Sequence, residues 1–327
     1  MPMNRRTFLE TSLATAALMG MPAWAEKREG MPYRDLGKTG EKVSLLCVGG
    51  YHIGVDKLSD DESIALMRTA VDEGVNFFDN AWAYHDGRSE VRMGKALKDG
   101  YRDKVFLMTK GQSWDAKLAE KYLEDSLRRL DVDTIDLWQV HEIVRPEYPG
   151  QVYSEGVLEY LVKAKEAGKI RYIGFTGHHL TSIHLEMIAG GFPFDTLQMP
   201  MSVLDYHFRS FQGKVLPAAL EKGMGVIAMK SLAGGGVLKA GAATVEECLR
   251  YTMSLPVSTV VSGMQTLEQL KQNIAIAKAF TPMDDAEMAA LRERTESYGN
   301  DGRFEDYKTA WHKDVQEKMI AEGLTPS

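Results

Sequence analysis

Three short apolar runs in this chain end in residues that can handle a proton or hold a charge. The run at residues 75–78 ends in Asp79, with Tyr84 in the polar, aromatic stretch that follows. The run at 105–109 ends in Lys110, and the run at 135–140 in His141. A free tyrosine, with a pKa near ~10, is a poor acid at neutral pH. A cation beside it stabilises the phenolate and lowers that pKa, and a buried carboxylate keeps such a lysine charged and oriented. A histidine close by can donate a hydrogen bond to an oxygen as negative charge develops on it. Together these residue types suit proton delivery to a carbonyl oxygen. Tyr84 is then the acid, Lys110 its tuner, Asp79 the anchor of Lys110 and His141 the polariser. Each alone has an ordinary structural use, as a loop cap, a half-buried aromatic, a rim ion pair or a satisfied imidazole. On one rim, the four make a site.

The elements that must position them are legible as a repeat. Apolar runs at residues 43–48, 75–78, 105–109, 135–140, 170–176, 196–199, 225–229 and 259–261 alternate with helical segments. The runs are nearly continuous in apolar character, as expected of parallel strands buried on both faces. Ser59-Asp-Asp-Glu62 reads as a capping box, followed by Ile64, Met67 and Val71 on one helix face and closed by Gly74. Leu118, Tyr122 and Leu127 form a second such face, and Val157, Leu161 and Ala164 a third. Thr266-Leu-Glu-Gln269 reads as another capping box, opening a helix with Leu270, Ile274 and Ala277. Strand then helix, repeated through the chain, predicts an α/β fold of the (β/α)₈ TIM-barrel type. A doubly wound sheet would carry a glycine fingerprint after its first strand, and Cys47-Val-Gly-Gly-Tyr51 lacks that spacing. A hairpin over residues 31–43, turning at Gly37-Lys-Thr-Gly40, precedes the barrel. A helix over residues 284–296 and a tail with a helix near 311–319 follow it. One domain, residues 26–327, is expected.

Residues 1–25 carry a different message. Asn4-Arg-Arg-Thr-Phe-Leu9, a short apolar stretch over 13–21 and Ala23-Trp-Ala25 have the order of a twin-arginine export signal with its cleavage site. The expectation is export of the folded protein by the twin-arginine machinery to the periplasm. The apolar stretch is too short to span a bilayer, and no stable membrane insertion of the mature chain is expected. A net charge of −7 without a Lys/Arg tract argues against nucleic acid as a partner. Cys47 and Cys248, the only cysteines, have no metal-type spacing, and Cys47 reads as a small core residue.

At the strand ends the sequence resembles the aldo-keto reductase family. Phe78-Asp-Asn-Ala-Trp-Ala-Tyr84 with Gly87-Arg-Ser-Glu90, then Thr109-Lys110, then Asp136-Leu-Trp-Gln-Val-His141, are similar to successive motifs of that family. The resemblance covers the chain to about residue 280. It implies a nicotinamide-dependent oxidoreductase that reduces an aldehyde or ketone, or oxidises the alcohol, with no metal. It also implies a cofactor side. Thr176 and Gln198 would hold the carboxamide, with Gly177 standing where the family has an asparagine. Met229 would pack under the nicotinamide. Lys230, Ser231, Leu232 and Gly234 belong to the loop over the pyrophosphate, and Ser262, Gly263, Gln265, Gln269, Gln272 and Asn273 to the adenosine end. Gly50, Tyr51 and Asp79 complete the cofactor set. Family habit favours NADP(H), whereas Gln265 and Gln269 where basic residues are common leave NAD(H) open. Trp82, Tyr51, His52, His85 and the tail from Tyr298 to Trp311 are candidates for lining the substrate pocket.

Three other readings use the same residues. A Schiff-base barrel enzyme would employ Lys110 or Lys230, but leaves Asp79, Tyr84, His141 and Gln198 without a joint purpose. A metal-dependent hydrolase would need His141, His178, His179 and Asp79 around one ion, and adjacent histidines rarely aim both rings inward. A nicotinamide-binding sensor or subunit without catalysis would keep the fold and the cofactor side.

Overall fold

Runs that are apolar on both faces pair in parallel here and close on themselves. The computed structural model describes residues 25–309. The expected export signal over residues 1–25 thus falls almost entirely outside the described residues, as does the expected helix at 311–319. Strands β1 (Ala25–Arg28), β2 (Met31–Asp35) and β3 (Lys42–Ser44) form a small antiparallel sheet. The barrel strands are β4 (Leu46–Gly49), β5 (Phe77–Asp79), β6 (Phe106–Gly111), β7 (Ile135–Val140), β8 (Ile170–Thr176), β9 (Thr196–Pro200), β10 (Gly225–Met229) and β11 (Thr259–Ser262). Each is parallel to its neighbours, and β11 pairs with β4 to close the ring. The (β/α)₈ barrel is therefore the fold.

The helices alternate with the strands. After β4 come α1 (Gly50–Ile53) and α2 (Asp60–Asp72), after β5 α3 (Arg88–Ala96), and after β6 α4 (Ala116–Leu130). After β7 come α5 (Tyr148–Ser154) and α6 (Val157–Glu166), after β8 α7 (Thr181–Ala189), and after β9 α8 (Phe211–Glu221). After β10 come α9 (Gly236–Ala240) and α10 (Val245–Ser254), and after β11 α11 (Leu267–Lys278). Helices α12 (Asp285–Gly299) and α13 (Asp306–Thr309) then return the chain to the barrel rim.

Several expectations are corrected in detail. The run at 43–48 is two strands: β3 pairs antiparallel with β2, and β4 turns into the barrel after Leu45. The faces of α2 and α4 bury Ser63, Leu66, Met67 and Ala70, and Ala119, Leu123, Ser126 and Leu130, with Ile64, Val71, Tyr122 and Leu127 flanking them. Small residues let these helices lie close to the sheet, so the deepest stripe is not the most apolar one. Ser59 and Glu62 form the expected reciprocal box. Thr266 caps Gln269 N, but the Gln269 side chain accepts from Gln265 N instead of returning to the cap.

Inside the barrel, Cys47, Phe77 and Phe106 lie side by side on β4, β5 and β6, and the two phenyl rings stack 5.1 Å apart. Leu36, just after β2, and Val43 of β3 join Met108, Leu137 and Ile227 in this cluster and plug the barrel floor. Arg34 fastens the same sheet through hydrogen bonds to the carbonyls of Met253, Leu255 and Val257. A plugged floor leaves the opposite, C-terminal rim as the place for a cavity.

Candidate active site

Asp79 is the last residue of β5, Lys110 lies near the end of β6, and His141 follows β7 directly. The ladder continues past β5, because Asn80 N donates to Met108 O at 2.9 Å and Trp82 N to Lys110 O at 2.8 Å. Trp82 then turns outward: its indole packs 4.1 Å from Tyr122 and donates to Asp125 at 3.2 Å. With Trp82 anchored on α4, the next turn sends Tyr84 back into the barrel mouth. His85 and Asp86 take left-handed backbone angles to make that turn. Glu90 is fully buried beneath the loop, accepting from Thr109 at 2.7 Å and from Arg129 at 3.2 Å. The family-like motif residues Thr109 and Glu90 are thus scaffold.

The three strand ends meet. Lys110 is 1% exposed, and its ammonium donates to Asp79 Oδ1, to Asn80 O at 2.6 Å and to the Tyr84 hydroxyl at 3.4 Å. Asp79 Oδ2 accepts from Gln198 Nε2 at 2.8 Å, so one buried carboxylate orients both the lysine and the glutamine. The His141 ring lies 5.8 Å from the Tyr84 ring, edge to face. Burial opposes the Lys110 charge, but Asp79 and Tyr84 hold its pKa above the ordinary value. A lysine held charged in this way is a poor Schiff-base nucleophile.

Tyr84 departs from expectation. Burial raises its pKa to about 12, and the opposing pull of Lys110 does not outweigh it. The phenol is therefore fully protonated at neutral pH. Burial, with only partial opposition from Glu142, lowers His141 to about 3, so its ring is a neutral donor.

A cavity of about 580 Å³ opens over these groups. Gly50, Tyr51, Thr176, Gln198, Met229, Lys230, Ser231, Leu232, Gly234, Ser262 and Gly263 all line it, together with the four catalytic candidates. Gln198 Oε1 is buried without a hydrogen-bond partner among the described residues and suits an amide N–H from a ligand. Gly234 and Gly235 have φ of +66° and +96°, which lets the loop turn its backbone toward the cavity. The donor set fits a nicotinamide dinucleotide. Gln265, Gln269, Gln272 and Asn273 do not line the cavity. Gln269 is spent on Gln265 N, Gln272 is exposed on α11, and Asn273 donates to Ser262 Oγ at 3.0 Å. Asn273 thus supports a wall residue from behind.

Residues 45–246, more than half of the chain, match the aldo/keto reductase family. The chain belongs to that family. It is 34% identical over 229 residues to the uncharacterized oxidoreductase YrpG of Bacillus subtilis (strain 168), covering 63% of this chain and 68% of that one. It is 29% identical over 280 residues to L-galactose dehydrogenase of Arabidopsis thaliana, covering 74% of this chain and 86% of the plant protein. The holo form of an aldo-keto reductase from Bacillus halodurans superposes with a TM-score of 0.69 at 25% identity, over 81% of this chain and 96% of that chain.

Within the family pattern, Gly177 has a local cause. A Cβ there would come within 2.4 Å of Ile143 O and 2.7 Å of the His184 ring, leaving no room for the family's asparagine. His178 and His179 are both buried, contrary to the expectation that one faces solvent. Among the described residues no group of three His, Cys, Asp or Glu is placed to hold a metal.

The wall holds Glu142 and His178 from outside the expected lining set, and leaves out members of that set. Trp82 and His85 lie outside the cavity wall, Trp82 on α4 and His85 against Tyr51 O at 2.8 Å. Glu142, His178, Asp306 and Tyr307 are in it. Glu142 follows His141 with φ +55°, accepts from Gln112 and faces His178 at 3.8 Å. Burial would raise its pKa, but the His178 contact, His141 and Gln112 together lower it to about 2, so it is an anion. Its adjacency to His141 was the available signal. Asp306 and Tyr307 arrive on α13, inside the tail from residue 298 onward that was expected to offer lining residues.

Proposed function

We propose that this protein reduces an aldehyde or ketone to an alcohol, or runs the reverse reaction, with Tyr84 as the proton donor and acceptor. The observation that carries the reading is the buried Asp79–Lys110 pair with the Tyr84 hydroxyl 3.4 Å from the ammonium, at the closed end of the cavity. The neutral His141 ring donates a hydrogen bond to the carbonyl oxygen without adding charge, and the Tyr84 phenol gives that oxygen its proton. The phenolate left behind is stabilised by Lys110, which Asp79 keeps ionised. In a low-dielectric cavity such fixed donors act without reorganising at the moment of reaction. Gln198, Thr176 and the Ser231–Gly235 loop would hold a nicotinamide cofactor, which supplies or takes the hydride. The family's habit supports NADP(H) as the first choice, and the exposed, uncharged Gln269 keeps NAD(H) open.

A steady-state carbonyl panel with NADPH and NADH, run on wild type and Tyr84→Phe, tests the assignment. The variant is expected to lose turnover by about 10²–10⁴-fold while still binding cofactor. Wild-type turnover in Tyr84→Phe would remove Tyr84 from the role. The Arg5-Arg6 signal pattern supports a periplasmic enzyme that carries cofactor loaded before twin-arginine export. Exported protein that emerges from gel filtration without nucleotide contradicts that part.

A further inference from the structure

The cavity wall contains one lysine whose charge is unmatched by any ion pair among the described residues. Lys110 is paired with Asp79, and Lys308 with Asp205 and Glu305. Lys230 lines the cavity, yet among the described residues it forms no ion pair. Its Nζ rests 4.8 Å from the centre of the Tyr307 ring. That contact gives an ammonium only weak stabilisation compared with a carboxylate. The residue follows β10 directly and holds φ +55°, a conformation that costs a side-chain-bearing residue energy and collects at functional positions.

The carboxylates of the same wall do not answer it. Glu142 is engaged by Gln112 and faces His178, and Asp306 is exposed at the rim. The charges that act on Lys230 are Glu142, Lys110 and Asp79, all on the catalytic side of the cavity. The glycine turn at Gly234 and Gly235 offers backbone N–H groups to the cofactor's phosphates without requiring this lysine.

We propose that Lys230 anchors an anionic oxygen group of the substrate, a carboxylate or phosphate borne away from the reacting carbonyl, so that the enzyme selects anionic over neutral carbonyl compounds. This rests on the carbonyl-reductase reading of the site. Burial lowers the Lys230 pKa, and an arriving anion would stabilise the charged form.

The test compares kcat/KM for matched substrates: 4-carboxybenzaldehyde against its methyl ester, and glyceraldehyde 3-phosphate against glyceraldehyde. The anionic-to-neutral ratio is expected to fall about ten- to a hundredfold in Lys230→Met, the range for losing one hydrogen bond to a charged group. Lys230→Arg should retain most of the ratio, showing that charge matters rather than packing. An unchanged ratio in Lys230→Met overturns the proposal. So does a loss of cofactor affinity with the ratio intact, which would assign the lysine to the cofactor's pyrophosphate. Calorimetric binding of 4-(hydroxymethyl)benzoate and its methyl ester to cofactor-loaded protein reads the anchor without turnover. If Tyr84→Phe keeps its activity, the acid assignment fails, and this binding comparison still decides Lys230 by itself.

Discussion

Lys308 sits in a buried network whose removal has calculable consequences. Its side chain and those of Asp205 and Glu305 are 0% exposed. The three ammonium protons go to Asp205 Oδ1 at 2.7 Å, Phe208 O at 2.7 Å and Glu305 Oε2 at 3.1 Å. Glu305 Oε1 accepts from Tyr307 at 2.6 Å, so the network holds a wall residue of the cavity. Lys308→Met fills nearly the same volume but leaves two carboxylates without their cation. Asp205 keeps donors from Phe211 N and Gln212 N, whereas Glu305 keeps only Tyr307. Breaking a buried pair in this way costs about 3–5 kcal/mol, a large share of the ~5–15 kcal/mol that holds a typical domain folded. Equilibrium denaturation in guanidinium should show that loss. Substrate KM should rise more than kcat falls, because Asp306 and Tyr307 shape the wall and take no part in proton transfer. Adding Glu305→Gln removes the worst-placed charge, so the double variant should be more stable than Lys308→Met alone. Burial already raises the Glu305 pKa against the pull of Lys308. Without the lysine the native state binds that proton more readily than the unfolded chain, so the deficit should shrink as pH falls. A loss below about 1 kcal/mol, or one that grows on acidification, would refute the reasoning.

Three further outcomes are expected. Asp79→Asn leaves Lys110 with the Asn80 carbonyl and the Tyr84 phenol, so kcat should drop by about 10²-fold with its alkaline limb moved to lower pH; a kcat within twofold of wild type contradicts the anchoring role. Gly177→Asn should destabilise the fold by about 1–3 kcal/mol, seen as a lower Tm, because the side chain must displace the Ile143 carbonyl or the His184 ring; an unchanged Tm would show that the site can relax. Burial lowers both His141 and His184 from 6.5 to about 3. The unfolded chain therefore binds more protons between those values, and stability should fall as pH drops, by about 4 kcal/mol for the pair between pH 7 and pH 5. Equal denaturation midpoints at the two pH values would show that these rings are not buried neutral.

Asp79, Lys110 and His141 were legible because an apolar strand that stops at a polar residue marks a barrel rim. Gln198 and Thr176 came from the family resemblance, and β9 and β8 bring both to the cavity. The pKa of Tyr84 was not, because a nearby lysine is readable from spacing, whereas the burial that outweighs it depends on how the barrel mouth closes. The adenosine-side glutamines were placed by motif, and their hydrogen bonds were settled by the first turn of α11, where Gln269 turns back to Gln265 N.

What the amino-acid order determined alone is the alternation of strand and helix, hence the barrel, and the chemistry at each strand's end. Hydrophobic runs and caps act over a few residues, so these features are local. The tertiary structure decided which side chains share the cavity. Asp79 joins Gln198 across 119 positions of sequence, and His178 joins the Tyr307 carbonyl across 129. Among the described residues, Lys230 is left without an ion-pair partner by the same closure, since charge balance in a cavity depends on every strand that reaches it.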